Sequence, residues 1–90
     1  FIRVIDVAGI ADQDDLKLMV YPNPASDHLI IESERSEGVV YLTDYLGRIV
    51  LRKQINSNVT ELQVGDLSAG MYQLIYLVDG KTGVRSVIKH

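Results

Sequence analysis

Hydrophobic and polar residues alternate with a period of two along most of the chain, and clusters of Gly, Pro, Asn, Asp and Ser break the alternation at short intervals. Successive side chains of a β-strand point to opposite faces, so the pattern predicts a train of short strands joined by turns. Seven strands are expected, over 17–21, 28–33, 38–44, 48–55, 60–64, 71–78 and 84–89. The breaks at 22–27, 34–37, 45–47, 56–58, 65–70 and 79–83 are rich in the residues that turns favour. Asp79-Gly80, between Leu77-Val78 and Val84, is a strong hairpin signal, because such a turn needs the positive φ angles that Asp and Gly tolerate. The last two strands should therefore be neighbours, and helix has almost no room. In the run 71–78, Tyr72, Leu74 and Tyr76 share one face, while Met71, Gln73, Ile75 and Leu77 share the other. A strand so apolar on both faces is either central and covered or exposes an interaction surface. Strands at this spacing suit a sandwich or a barrel.

Ahead of this train, Phe1-Ile2-Arg3-Val4-Ile5-Asp6 also alternates and reads as the last strand of a preceding domain. Val7 to Asp15, with small Ala8, Gly9 and Ala11 and acidic Asp12, Asp14 and Asp15, is a poor builder of core and reads as a linker. The expected division is thus 1–15, the end of one domain plus linker, and 16–90, the β domain. Phe1 follows no initiator Met and opens no signal peptide, so the chain reads as part of a larger precursor whose export signal and activity lie upstream.

Composition narrows the possibilities. The chain has 90 residues, 47% hydrophobic and 23% charged, which fits one small soluble globular domain. It has no cysteine, hence neither disulfides nor a thiolate metal site, and the core must carry the fold alone. The net charge is -3, and Arg35, Arg48, Arg52, Lys53, Lys81, Arg85 and Lys89 are scattered, which argues against a nucleic-acid partner. Apolar stretches such as 29–31 and 74–78 fall far short of the ~20 residues that span a bilayer, so no transmembrane segment is expected.

Candidate chemistry is sparse. Ser26-Asp27-His28 has the residue types of a hydrolytic triad, but consecutive residues entering a strand point in different directions; backbone bonding in the turn suits Ser26 and Asp27 better. Asp12-Gln13-Asp14-Asp15 lacks the Gly and distal Glu of a calcium loop and reads as solvated linker. Asn58-Val59-Thr60 matches the glycosylation triplet, which a turn leading into a strand explains. Gly65 to Gly70 follows no βα pattern and reads as a corner rather than a phosphate loop. Tyr41, Tyr45, Tyr72 and Tyr76 could form a sugar-binding platform, although tyrosine is an ordinary half-buried strand residue and no Trp is present. No catalytic residue, metal ligand or cofactor site is expected, and no enzyme.

Four signatures occur in order: Tyr21-Pro22-Asn23-Pro24, Asp44-Tyr45-Leu46-Gly47-Arg48, Leu67-Ser68-Ala69-Gly70-Met71-Tyr72 and Ile88-Lys89. Their order and spacing over 18–89 resemble the C-terminal sorting domain of the bacterial type IX secretion system. The resemblance implies a seven-stranded, immunoglobulin-like antiparallel β-sandwich of Greek-key topology that sorts a cargo protein. It implies passage through the periplasm, recognition by an outer-membrane receptor, crossing of the outer membrane, and removal of the tail by a surface sortase, with the cargo joined to lipopolysaccharide or released. Pro22, Asn23, Pro24, Asp44, Gly47, Arg48, Gly70 and Tyr72 carry the family's turns and strand, and turn geometry suits the prolines, Asn23 and the glycines. Cleavage is expected in the linker near Gly9, Ile10, Ala11 and Asp12, where small side chains ease entry into a protease cleft. Recognition is expected at Val84, Arg85, Val87, Ile88 and Lys89, a terminal strand whose unpaired backbone could accept β-augmentation. His90 follows the basic residue at which the family commonly ends. The alternatives are a retained immunoglobulin-like structural module and a carbohydrate-binding sandwich, and an edge strand would permit self-association in each case.

Overall fold

Alternation along each strand sets one row of side chains toward a shared interior. The computed structural model describes residues 17–90. The expected strand at 1–6, the linker at 7–15 and the cleavage residues Gly9, Ile10, Ala11 and Asp12 lie outside the described residues. Seven strands form: β1 (Met19–Tyr21), β2 (His28–Glu32), β3 (Gly38–Thr43), β4 (Ile49–Ile55), β5 (Val59–Gln63), β6 (Gly70–Val78) and β7 (Lys81–Lys89). They build a three-stranded sheet of order β1-β2-β5 and a four-stranded sheet of order β4-β3-β6-β7, all pairs antiparallel. Together they make a β-sandwich.

Leu29 and Ile31 of β2, Leu62 of β5, Val40 and Leu42 of β3, Leu74 and Tyr76 of β6 and Val87 of β7 are buried, and they meet between the sheets. Leu74 and Tyr76 have no exposed surface, so truncating either would cost about 3–5 kcal/mol. The expectation for β6 resolves into a mixture of its two alternatives. The strand is central, with Tyr72, Leu74 and Tyr76 inward, yet Met71 and Leu77 on its other face are exposed.

Strand ends differ from expectation where pairing rather than composition decides them. The β6–β7 loop is two residues, not five: Val78 pairs with Lys81, and Lys81, Thr82 and Gly83 continue the ladder. Asp79 (φ 51°) and Gly80 (φ 77°) both adopt the left-handed region, the geometry that matches a tight turn to the twist of its strands. In β5 the ladder starts one residue early because Val59 pairs with Glu32. Strand β1 has only three residues, after which the chain leaves its sheet at Pro22. The peptide bonds before Pro22 and Pro24 are both cis.

Candidate functional site

Asn23 supplies the first link. Its side-chain Nδ2 donates to the Ser86 carbonyl at 3.0 Å, and its Oδ1 accepts from the Ile88 amide at 2.9 Å. One amide side chain thus occupies a donor and an acceptor on the outer edge of β7, as a strand backbone would. Two residues on, the Ala25 amide donates to the Ile88 carbonyl at 2.8 Å and the His90 amide to the Ala25 carbonyl at 2.9 Å. Ala25 and Lys89 form a parallel bridge. The stretch from Pro22 to Ala25 is therefore a strap that runs from the three-stranded sheet to the edge of the four-stranded one. Arg85 ties the same side, its Nη2 donating to the Leu18 carbonyl at 3.0 Å.

The second signature closes the β3–β4 hairpin. Gly47 (φ 84°) donates its amide to the Asp44 carbonyl at 2.9 Å, and a bulge follows in the pairing of β3 with β4. Asp44 Oδ1 accepts from the amides of Leu46 (2.9 Å) and Arg48 (3.0 Å), while its Oδ2 meets the Arg48 guanidinium at 2.9 Å. Partial desolvation pushes the Asp44 carboxyl upward; the Arg48 and Leu46 amides and the guanidinium together outweigh it and hold the group below its ordinary value. The aspartate and arginine of this signature thus lock a loop whose tip, Tyr45 and Leu46, stands in solvent.

Leu67 to Tyr72 forms the corner that enters β6. Tyr72, buried, donates its hydroxyl to the Ser68 carbonyl at 2.6 Å and so fixes the corner to the core. Met71 pairs with Ile88 and Gly70 with Lys89, which carries the corner to the end of β7. Thr43, just before Asp44, pairs with Gln73, and Gln73 pairs with Ser86, which the strap holds. Four signatures separated along the chain therefore converge on one end of the sandwich. Two shallow clefts flank the Tyr45 loop there. Both include Asp44, Tyr45, Met71 and Tyr72, one extending to Gln73 and Ser86 and the other to Leu67 and Ser68. Tyr45, Leu46, Met71 and Ile88 form an exposed apolar rim.

Of the five terminal residues considered for recognition, Val87 and Lys89 are buried, with the Lys89 ammonium donating to the His90 carbonyl at 2.9 Å. Val84 and Arg85 are half-buried, and Ile88 alone is exposed. The premise of an unpaired terminal edge is corrected: from Ser86 to His90 that edge is taken by Asn23 and Ala25. The sequence around Asn23 points only to turn geometry, since hydrogen-bond partners more than sixty residues away leave no local signal.

The sugar-platform residues do not form an exposed row. Tyr72 and Tyr76 belong to the core, the latter donating its hydroxyl to the Glu37 carbonyl; Tyr41 is half-buried, and only Tyr45 stands free. Ser26, Asp27 and His28 do not converge: the Asp27 carbonyl accepts from the Val64 amide, extending the ladder of β2 with β5, where His28 pairs with Gln63. Among the described residues no group of His, Asp or Glu is arranged to hold a metal, and no helix is long and apolar enough to cross a membrane.

Comparison with known proteins adds to this geometry. Residues 19–90 match the family described as the secretion system C-terminal sorting domain. Among solved structures the chain is similar to PorZ, an essential bacterial surface component of the type-IX secretion system of Porphyromonas gingivalis. That likeness has a TM-score of 0.71 at 20% identity and covers 92% of this chain but 12% of the neighbour's, so it bears on the fold. No curated protein matches the chain.

Proposed function

Because the chain belongs to the secretion system C-terminal sorting domain family, we propose that it marks a longer cargo protein for the type IX machinery through the end of the sandwich where its four signatures meet. The observation that carries this reading is the convergence of Asn23, Asp44, Arg48, Tyr72 and Ile88 at one end of the sandwich, although they are spread from position 23 to position 88. Most of these side chains lock turns and seal an edge. They hold Tyr45, Leu46, Met71 and Ile88 in a fixed apolar rim, which an outer-membrane receptor can read by shape. Within β7, Val87, Lys89 and Arg85 position the strand, Val84 is half-buried beside them, and Ile88 makes the receptor contact.

In this reading the domain is a ligand and a substrate, not an enzyme, and residues 16–90 act as the unit. The tail folds in the periplasm, is recognised, and accompanies its cargo across the outer membrane to the cell surface or the medium. A surface sortase then cuts the linker near Gly9, Ile10, Ala11 or Asp12. The strand orders 1-2-5 and 4-3-6-7 and the Tyr72 hydroxyl bond back to Ser68 support an immunoglobulin-like, Greek-key form of the sandwich.

The test is export of a reporter. Residues 1–90 are fused behind a signal peptide and a fluorescent protein in a type IX-competent bacterium, with and without residues 84–90, and with Ile88→Asp. Surface or medium fluorescence with a new reporter C-terminus near Gly9 is expected for the full tail, with loss of export in both variants. Equal periplasmic retention of all three would overturn the sorting role. Export without trimming would keep the sorting role and remove the cleavage.

A further inference from the structure

We infer that the open edge of β4 is a docking strand for an extended, acidic segment of a separate polypeptide, which adds to the four-stranded sheet beside residues 51–55. The sandwich has four sheet edges, those of β1, β5, β4 and β7. Strand β1 is three residues long, and the C-terminal half of β7 is taken by the strap. Strand β5 has five residues and carries Glu61; β4 has seven, none of them acidic. Among the described residues the backbone of β4 bonds only toward β3, so alternate residues present their amides and carbonyls outward, ready for another strand.

Charge selects the occupant. Arg52 pairs with Tyr41 on the outward face of the sheet, its guanidinium 6.0 Å from the ring centroid. Lys53 pairs with core-facing Val40 and is nonetheless exposed, so its ammonium reaches past the edge. Neither forms an ion pair among the described residues, and Arg48, tied to Asp44, adds a third cation just before the strand. No acidic residue occurs from Ile49 to Ile55, in a chain whose net charge is -3. A second copy laid along β4 would bring cation against cation, which disfavours self-pairing. A strand with two adjacent acidic residues answers both faces, one carboxylate beside Arg52 and the next beside Lys53. An apolar residue flanking that pair would cover the half-buried Leu51. The register shifts between Leu42 and Thr43 and leaves Val50 as the extra residue of a bulge in β4, so docking runs from Leu51 to Ile55.

The experiment uses isotopically labelled chain 1–90 and two synthetic octapeptides of Val and Thr, one with a central Glu-Glu and the other with Lys-Lys. The Glu-Glu peptide should slow amide exchange at alternate residues of β4 and leave β5 and β7 unchanged; the Lys-Lys peptide should do neither. In the R52E/K53E variant, whose substituted side chains are exposed, the preference should reverse, with the Glu-Glu peptide bound about tenfold more weakly. Unaltered amide exchange in β6 would certify that the variant is folded. Protection at β5 or β7, equal binding of both peptides, charge-dependent shifts without slowed amides such as a sulfated polysaccharide would give, or no binding at millimolar peptide would each overturn the inference. Export plays no part in this measurement, so its failure leaves the sorting role standing.

Discussion

A carboxamide is the one side-chain group that reproduces a peptide unit, with a carbonyl and an N–H held in one plane. Asn23 uses both against β7, which neither Asp nor Ser could do with the same reach, because the Ser86 carbonyl needs a donor and the Ile88 amide an acceptor. Asn23→Ala should lower stability by about 1–3 kcal/mol in urea unfolding. Asn23→Asp should lose at least the Ser86 bond and place a charge beside a carbonyl; a variant as stable as the parent would sink this account. Asp44 makes a different contribution. Its folded pKa lies below its unfolded value, so its stabilisation is present above about pH 4 and is lost as pH falls through the folded value. Asp44→Asn should therefore be less stable than the parent at pH 7, and the gap in unfolding midpoint should narrow toward pH 3. A gap that stays constant with pH would show that the carboxylate's charge is irrelevant.

At the scale of elements, the strands were legible because their physics is local. Leu29 and Ile31, Val40 and Leu42, and Leu74 and Tyr76 each announce a buried face at spacing two, and Asp79-Gly80 announces the hairpin of β6 with β7. What the sequence could not convey is which edge is sealed and by what, since Asn23 meets partners 63 and 65 residues away and period-two alternation says nothing of distant pairing. Nor could composition predict that Lys89, charged and near the terminus, would be buried. Gly38 is a further case. At the start of β3 its φ is +119°, and an added Cβ would lie 2.6 Å from the Leu77 carbonyl oxygen and 2.7 Å from the Tyr76 ring. β3 can approach β6 there only without a side chain, so Gly38→Ala should cost about 2–4 kcal/mol. Thermal unfolding would measure it, and a change below about 0.5 kcal/mol would mean that the strand simply shifts.

For the whole molecule, the seam that closes the sandwich joins the start of the described chain to its end. The Ala25, Ile88 and His90 amides are all bonded across this seam. In hydrogen exchange they should behave as one cooperative group, opening only with global unfolding in the parent and at a lower free energy in Asn23→Ala. If the Ile88 amide exchanged as fast as a free edge in the parent, the strap would not be closed in solution. The seam also makes one end of the sandwich depend on residues far apart in the chain. A chain that stopped before Ser86 would carry three of its four signatures intact, yet it would present neither the sealed edge nor the finished rim. Removing Ser86 to His90 would therefore act at a distance, stripping Asn23 and Ala25 of partners that lie more than sixty positions further along the chain.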